Sequence, residues 1–242
     1  MITDSVRRGL AAGLVAGLLA GAFALLVGEV PLREAIALEE QSHAAAHGSA
    51  EAAHDHGDAF TVSRTAQQVL LPVGTALLGA ACGGLLGLVF AFVARRSRDR
   101  WRSALAFGTA SWAAVALFPG LKYPSNPPGV GDPSTVEART TWFFVAIGGS
   151  VALALLLWAA SRWLRGRGTA DVPRQMLVGA AAVLVYGALF FALPANTDPV
   201  EVPADLLWDF RLASMGTQAI LWLGLAVAFG WLWHRAGNQE AV

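Results

Sequence analysis

Six apolar stretches separated by polar segments make up most of the chain. A helix that crosses a bilayer needs about 20 mostly apolar residues, because it must cover roughly 30 Å of hydrocarbon. Each stretch reaches or approaches this length, so the pattern predicts an all-α integral membrane protein. The predicted spans are residues 10–28, 69–94, 101–118, 141–160, 176–193 and 212–233.

The distribution of charge distinguishes six spans from five. The stretch at 101–118 is the weakest of the six, and a five-span alternative omits it. With six spans and both termini in the cytoplasm, 12 of the 17 basic residues lie inside and 13 of the 17 acidic residues lie outside. This agrees with the excess of Lys and Arg in cytoplasmic loops, and omitting the third span would spoil it. We therefore predict three helical hairpins with an N-in, C-in topology.

Composition supports a membrane protein and excludes other classes. Hydrophobic residues make up 55% and charged residues 14% of the 242 residues, whereas soluble domains are about a quarter charged. The formal net charge of zero argues against nucleic acid as a partner. The single cysteine, Cys82, excludes an internal disulfide and a multi-cysteine metal site. We predict one membrane domain, residues 1–242, with the lipid bilayer as its surroundings.

The first apolar stretch has two interpretations. Two arginines followed by an apolar run are also typical of a secretory signal peptide. The run is longer than the usual signal-peptide core of about 7–15 residues, which favours a retained helix. Glycines spaced by four in the first two spans predict close packing of helices within the membrane. They are Gly9, Gly13, Gly17 and Gly21 in the first span, and Gly79, Gly83 and Gly87 in the second.

The polar chemistry of the chain is concentrated outside the predicted spans. No charged residue or histidine lies at the centre of a span, although ion pathways usually contain such residues. Zinc-protease, phosphate-binding and serine-hydrolase motifs are absent from the sequence, so we expect no enzyme activity. The predicted extracytoplasmic segments are 29–68, 119–140 and 194–211, and residues 161–175 form an Arg-rich cytoplasmic loop.

The first extracytoplasmic segment carries four of the five histidines. If residues 39–53 are helical, as their alanines and glutamates favour, His43 and His47 lie one turn apart and suit a single divalent ion. The alternative is a solvated polar loop whose histidines have no specific role. The predicted metal ligands are His43, His47, His54, His56, Glu40, Glu51, Asp55 and Asp58.

These ligand types limit the metal without identifying it. Imidazole suits zinc, copper, nickel and cobalt, and the segment offers no soft thiolate ligand. Because imidazole binds metal only when neutral, binding is expected to weaken below about pH 6. We predict no permanent cofactor, so the divalent cation is cargo or a bound ion.

The second extracytoplasmic segment has five prolines and three glycines within residues 118–133. This composition fixes an irregular backbone that can present carbonyl oxygens to a cation. For its acidic residues helix capping is favoured: Asp132 caps a helix with Pro133 at its first position, or Ser134 and Glu137 form a capping box. The residues predicted near a cation entrance are Asn126, Asp132, Glu137, Arg139, Asn196 and Asp198.

The three hairpins share a further feature. An arginine begins each return towards the cytoplasm: Arg64, Arg139 and Arg211. A triplicated hairpin would produce this pattern, and so would simple anchoring of each helix at the membrane interface.

The proline-rich segment also resembles a known family. The string FPGLKYPSNPPGVGDP, followed by Glu137, Arg139 and Thr140, is similar to the signature of the CbtA family, described as the probable A subunit of a bacterial cobalt transporter. The glycine-rich first span, the histidine-bearing segment and the later loop at 193–199 match in layout. The family is usually described with about five spans, so the six predicted here differ from it.

The resemblance implies cobalt uptake connected with cobalamin synthesis in the bacterial inner membrane. It also implies a partner, a small histidine-bearing membrane subunit of the CbtB type. The predicted extracytoplasmic segments carry eight more acidic than basic residues, which would concentrate cations near them. We therefore predict a subunit that captures a divalent cation, with cobalt favoured, on the extracytoplasmic face. The alternatives are a metal-sensing or accessory membrane protein that does not transport, and a structural scaffold.

Overall fold

The computed structural model describes residues 2–47, 63–94, 97 and 99–239, with side chains described in these ranges except at 42–47 and 237–239. The described residues form helices and connecting turns, and they contain no strand. The helices are α1 Ile2–Phe23, α2 Glu29–His47, α3 Arg64–Val93, α4 Arg100–Trp112, α5 Phe118–Lys122, α6 Val136–Gly166, α7 Asp171–Ala192 and α8 Ala204–Gln239. A π-helical turn, Ala24–Gly28, joins α1 to α2; a second, Ala113–Leu117, joins α4 to α5; and a 3₁₀ turn, Pro133–Thr135, precedes α6.

Six helical segments of the described chain are long and apolar enough to cross a membrane. The predicted all-α fold and the number of spans are therefore confirmed, including the third span that a five-span alternative omits. The N-in, C-in orientation and the sides of the loops stay predictions. The six segments are Ile2–Gln41, Arg64–Val93, Arg100–Lys122, Pro133–Gly166, Asp171–Ala192 and Ala204–Ala236.

A proline accompanies each of the two π-helical turns. Pro31 has no N–H for the carbonyl four residues before it. Just before Pro31, the amide of Glu29 donates to the carbonyl of Ala24, five residues earlier. An α-helix would use the carbonyl four residues earlier, so this turn contains one extra residue. Pro119 accompanies the same arrangement in the turn Ala113–Leu117. The π turns let both helices continue through positions where a proline would otherwise interrupt them.

Helical backbone consequently runs without a break from Ile2 to His47. At about 1.5 Å per residue this stretch rises roughly 70 Å, more than twice the roughly 30 Å of bilayer hydrocarbon. The sequence predicted an extracytoplasmic segment at 29–68 with helix at 39–53. In the structure the helical part begins at Glu29, and its described part ends at His47.

The chain divides into two compact units, the first formed by Met1–Thr109, Ser125–Val130 and Val200–Val242. Its centre is the contact between α1 and α3, which we call the glycine seam. A methyl group at Gly9 would overlap the carbonyl of Gly83, and one at Gly13 would overlap the carbonyl of Gly79. The predicted close packing of the two glycine stripes is therefore confirmed.

The second unit is formed by Ala110–Pro124 and Gly131–Pro199. Phe118, Ala146 and Leu193 form its buried apolar core. The Tyr186 hydroxyl donates to the backbone carbonyl of Ser150 at 2.7 Å. The buried Ser150 hydroxyl donates to the Ala114 carbonyl. These bonds satisfy polar groups inside apolar helices, where an unpaired hydroxyl would cost free energy.

Candidate functional site

The predicted histidine site lies only partly within the described residues. Residues 43 and 47 are on α2, where the backbone places them one turn apart, but their side chains are not described. Glu40 is exposed on the same helix. The described side chains contain no group of three or more His, Cys, Asp and Glu residues that could hold a metal ion. The remaining predicted ligands, Glu51, His54, Asp55, His56 and Asp58, lie outside the described residues.

Glu29 is a buried carboxylate that is not among the site residues predicted from the sequence. Only 4% of the residue is exposed, and the structure describes no other acidic residue that is buried as a whole. The sequence predicts Glu29 at the start of a loop, whereas the structure places it in the continuous first helix. A buried carboxylate costs several kcal/mol of desolvation unless it is paired and hydrogen-bonded. The Glu29 carboxylate therefore requires a positively charged or hydrogen-bonding partner.

Three side chains donate to this carboxylate. Arg64 Nη2 lies 3.0 Å from Glu29 Oε1 and 2.8 Å from Oε2. Gln68 Nε2 lies 2.9 Å from Oε2, and Arg33 Nε lies 3.3 Å from the same oxygen. Arg64 also donates from Nη1 to Gln67 Oε1 at 3.1 Å. We call these five residues the Glu29 cluster.

The π turn explains why Glu29 faces α3. Gly21 lies in the glycine seam, where an added Cβ would meet Pro72 and Thr75. In an uninterrupted α-helix, at about 100° per residue, Glu29 would point about 80° away from the direction of Gly21. One extra residue in the turn brings it back to about 20° from that direction. The carboxylate thus continues the contact face of the seam.

Only a weak local signal in the sequence marks this cluster. An acidic residue at the end of an apolar run, with Pro31 two residues later and Arg33 at i+4, is consistent with a helix that continues. The principal partner, Arg64, is 35 residues away in the chain. No pattern of local spacing connects the two residues, so the pairing was not predicted.

Part of the proline-rich segment, Ser125–Val130, belongs to the first unit. Arg211 Nη2 donates to Asn126 Oδ1 at 2.9 Å, and Arg211 Nε lies 3.4 Å from the Ser125 carbonyl. Gly129 has a φ of +75°, and a Cβ added there would lie 3.2 Å from Glu39 Cδ on α2. Glycine is needed here both for the left-handed backbone and for the close approach of the Glu39 side chain.

The following residues, in the second unit, form another polar cluster. Asp132 Oδ1 accepts hydrogen bonds from the Ser134 amide at 2.8 Å and the Ser134 hydroxyl at 2.7 Å. Asp132 is thus the N-cap of the 3₁₀ turn, with Pro133 at its first position, which confirms the capping role favoured for Asp132. The hydrogen bonds from Ser134, together with the nearby charge of Arg139, hold the pKa of Asp132 below its ordinary value.

Asp198 joins this cluster to the third predicted loop. Its carboxylate lies 3.2 Å from Arg139 Nε and accepts from the Thr135 hydroxyl at 2.7 Å. Its amide donates to Asn196 Oδ1 at 3.2 Å. Glu137 is exposed in the first turn of α6. The structure therefore brings four predicted entrance residues together in the second unit: Asp132, Arg139, Asn196 and Asp198.

The three arginines that begin the return segments have a shared role. Each guanidinium binds a side-chain oxygen that is distant in sequence, and so ties its helix to another segment of the same unit. The pairs are Arg64 with Glu29, Arg139 with Asp198, and Arg211 with Asn126.

The six apolar helices of the described ranges, with paired polar groups at the ends of spans, define a multi-pass helical membrane protein. Comparison with protein families then gives a more specific identity. The sequence profile of CbtA, described as "Probable cobalt transporter subunit (CbtA)", matches residues 2–234, and the chain belongs to this family. No curated protein and no solved structure matches. The resemblance seen in the proline-rich segment is thus confirmed, and membership supports a membrane subunit for cobalt transport that works with a partner chain.

Proposed function

We propose that this chain captures Co²⁺ on the extracytoplasmic face of the bacterial inner membrane for uptake. A small histidine-bearing partner subunit would receive the ion and complete the path. Family membership supports cobalt transport by a multi-subunit protein. The side of capture, the residues and the partner are parts of this proposal.

The observation that carries the proposal is the continuous helix through residues 43 and 47. A spacing of i, i+4 on a helix lets two imidazoles bind one divalent ion. The helix places these positions about 20–27 Å beyond Glu29 along its axis. This distance from the apolar part of α1 supports a position in water, where a hydrated cation would first be met.

The charge of the predicted outer segments supports capture on that side. Acidic residues outnumber basic ones there by eight under the predicted topology. A surface of this sign attracts cations and raises their local concentration. Oxygen and imidazole ligands both suit Co²⁺. Within the apolar helices few such ligands are available, which is why we assign the next step to a partner.

The experiment measures cobalt, nickel and zinc in cells grown in low-metal medium and expressing the chain with its partner. Replacing His43, His47, His54 and His56 together by alanine is expected to lower cobalt accumulation at least about tenfold, because even loss of a residue that only supports a metal ligand typically costs about that much. His234→Ala is the matched control, because it removes the remaining histidine, at the end of α8, and is expected to leave accumulation unchanged.

Two results would contradict the proposal in different ways. Accumulation that survives replacement of the four histidines would move capture to the proline-rich segment or the partner. A lack of cobalt accumulation by the wild-type pair, with both chains present in the membrane, would refute uptake and favour the accessory or scaffold alternatives.

A further inference from the structure

The guanidinium of Arg64 fills a site that is already built for a cation. It lies within hydrogen-bond distance of three side-chain oxygens, namely Glu29 Oε1 and Oε2, at 3.0 and 2.8 Å, and Gln67 Oε1, at 3.1 Å. Gln68 Nε2 also donates to Glu29 Oε2, at 2.9 Å. Carboxylate and amide oxygens are also ligands for divalent cations. A tethered cation therefore occupies a group of oxygens that suits a free one.

The two partners differ in their freedom to move. The Glu29 side chain is 5% exposed, whereas that of Arg64 is 39% exposed. Glu29 is fixed within the packed helix, whereas the long side chain of Arg64 is partly exposed. Removing one member of a buried pair leaves an uncompensated charge, which is strongly unfavourable. Arg64 can therefore leave at low cost only when another cation takes its place.

The Glu29 cluster also lies at a junction in the fold. The glycine seam brings α1 and α3 into backbone contact as far as Gly21 and Pro72. The bonds from Arg64 and Gln68 to Glu29 are the next polar links between the same two helical segments. Between them is the π turn Ala24–Gly28, an element frequently found at functional positions. Release of Arg64 would remove one of these two links, while the Gln68 bond and the glycine contacts remain.

We propose that Glu29 is the carboxylate at which the transported divalent cation displaces Arg64. Arg64, which binds both oxygens of Glu29, then competes with the cation for this carboxylate. This inference rests on cobalt transport by the chain, as proposed above. The competing interpretation is a permanent ion pair that only holds α3 against the first helix.

The test measures the initial rate of cobalt uptake against cobalt concentration in cells with the partner subunit. Glu29→Gln removes the charge with little change of shape, and uptake at subsaturating cobalt is expected to fall at least about tenfold. Arg64→Gln removes the competitor, so the half-saturating cobalt concentration is expected to decrease because more of the protein is competent to bind. Arg102→Gln is the matched control. Arg102 lies outside the Glu29 cluster and pairs with Asp99 at 3.2 Å with its side chain 86% exposed, and we expect no change.

A purely structural pair gives a different set of results. Glu29→Gln and Arg64→Gln would then impair uptake in the same direction, and the exchanged double variant, Glu29→Arg with Arg64→Glu, would restore it. Either result overturns the inference. The amount of each variant in the membrane is measured by immunoblot.

If Glu29→Gln does not accumulate in the membrane, Glu29→Asp decides the question. It keeps the charge and moves the carboxylate back by one methylene, so the half-saturating cobalt concentration is expected to shift. An unchanged value overturns the inference. If the wild type and Glu29→Gln both take up cobalt normally, the role of Glu29 is refuted but the proposed function stands. If the wild type takes up no cobalt, the proposed function itself is refuted.

Discussion

Asp132 and Glu29 show how the surroundings of a carboxylate decide what it does. Asp132 is exposed, and its donors come from Ser134, two residues away. Those bonds favour the ionised form and hold the pKa of Asp132 below 3.8. Glu29 is buried and depends on Arg64, a residue from another helix. The first carboxylate organises its own turn, while the second links two spans.

Acidification should reveal the role of Asp132. Because its folded-state pKa is lowered, its contribution to stability is complete above pH 3.8 and is lost as the pH falls through the folded-state value. Asp132→Asn keeps a capping oxygen but does not titrate. We expect the wild type to lose more stability than Asp132→Asn when the pH is lowered from 5 to below 3.8. Thermal unfolding in detergent measures this, and parallel curves for the two proteins would contradict the capping role.

At the scale of elements, the glycine seam and the π turn act together. The seam brings the backbones of α1 and α3 into contact, which only residues without a Cβ permit. The π turn then corrects the helical register so that Glu29 continues on the same side as Gly21. A straight α-helix with the same residues would direct the carboxylate elsewhere.

The seam can be tested with two glycine replacements that differ in their surroundings. A Cβ at Gly13 would meet the backbone of Gly79 and Ala80, whereas one at Gly179 on α7 has nothing within 4 Å. Gly13→Ala is expected to lower the free energy of unfolding by about 1–3 kcal/mol through overpacking. Gly179→Ala is expected to be neutral or slightly stabilising, because alanine favours helix. Thermal unfolding followed by tryptophan fluorescence compares them, and equal shifts would refute the role of the seam.

At the scale of the whole molecule, charge predicts how the six spans are oriented. An excess of arginine in the segments assigned to the cytoplasm predicts N-in and C-in. Alkaline phosphatase fused after Val130 should then be active, because that loop would be extracytoplasmic. The same enzyme fused after Gly168 should be inactive. The reverse pattern of activity at the two positions would contradict the predicted topology.

The sequence by itself determined the features that depend on local composition. Hydropathy reports whether each stretch of about 20 residues partitions into a bilayer, so the six spans were predictable. The glycine stripes predicted a close helix contact because their spacing places them on one face. The capping role of Asp132 was also predictable, because its hydrogen-bond partner, Ser134, is only two residues away in the chain. The proline-rich string was distinctive enough to indicate the family.

Only the tertiary structure decided which distant residues meet. Glu29 and Arg64 are separated by 35 positions, and Arg211 and Asn126 by 85. Such pairs depend on which helices pack together and in what register, and a single π turn changes that register by about 100°. The helix that contains Pro31 continues through it without a break, with the π turn directly before Glu29. The free energy of a buried ion pair comes from its whole surroundings, which local spacing in a sequence does not contain.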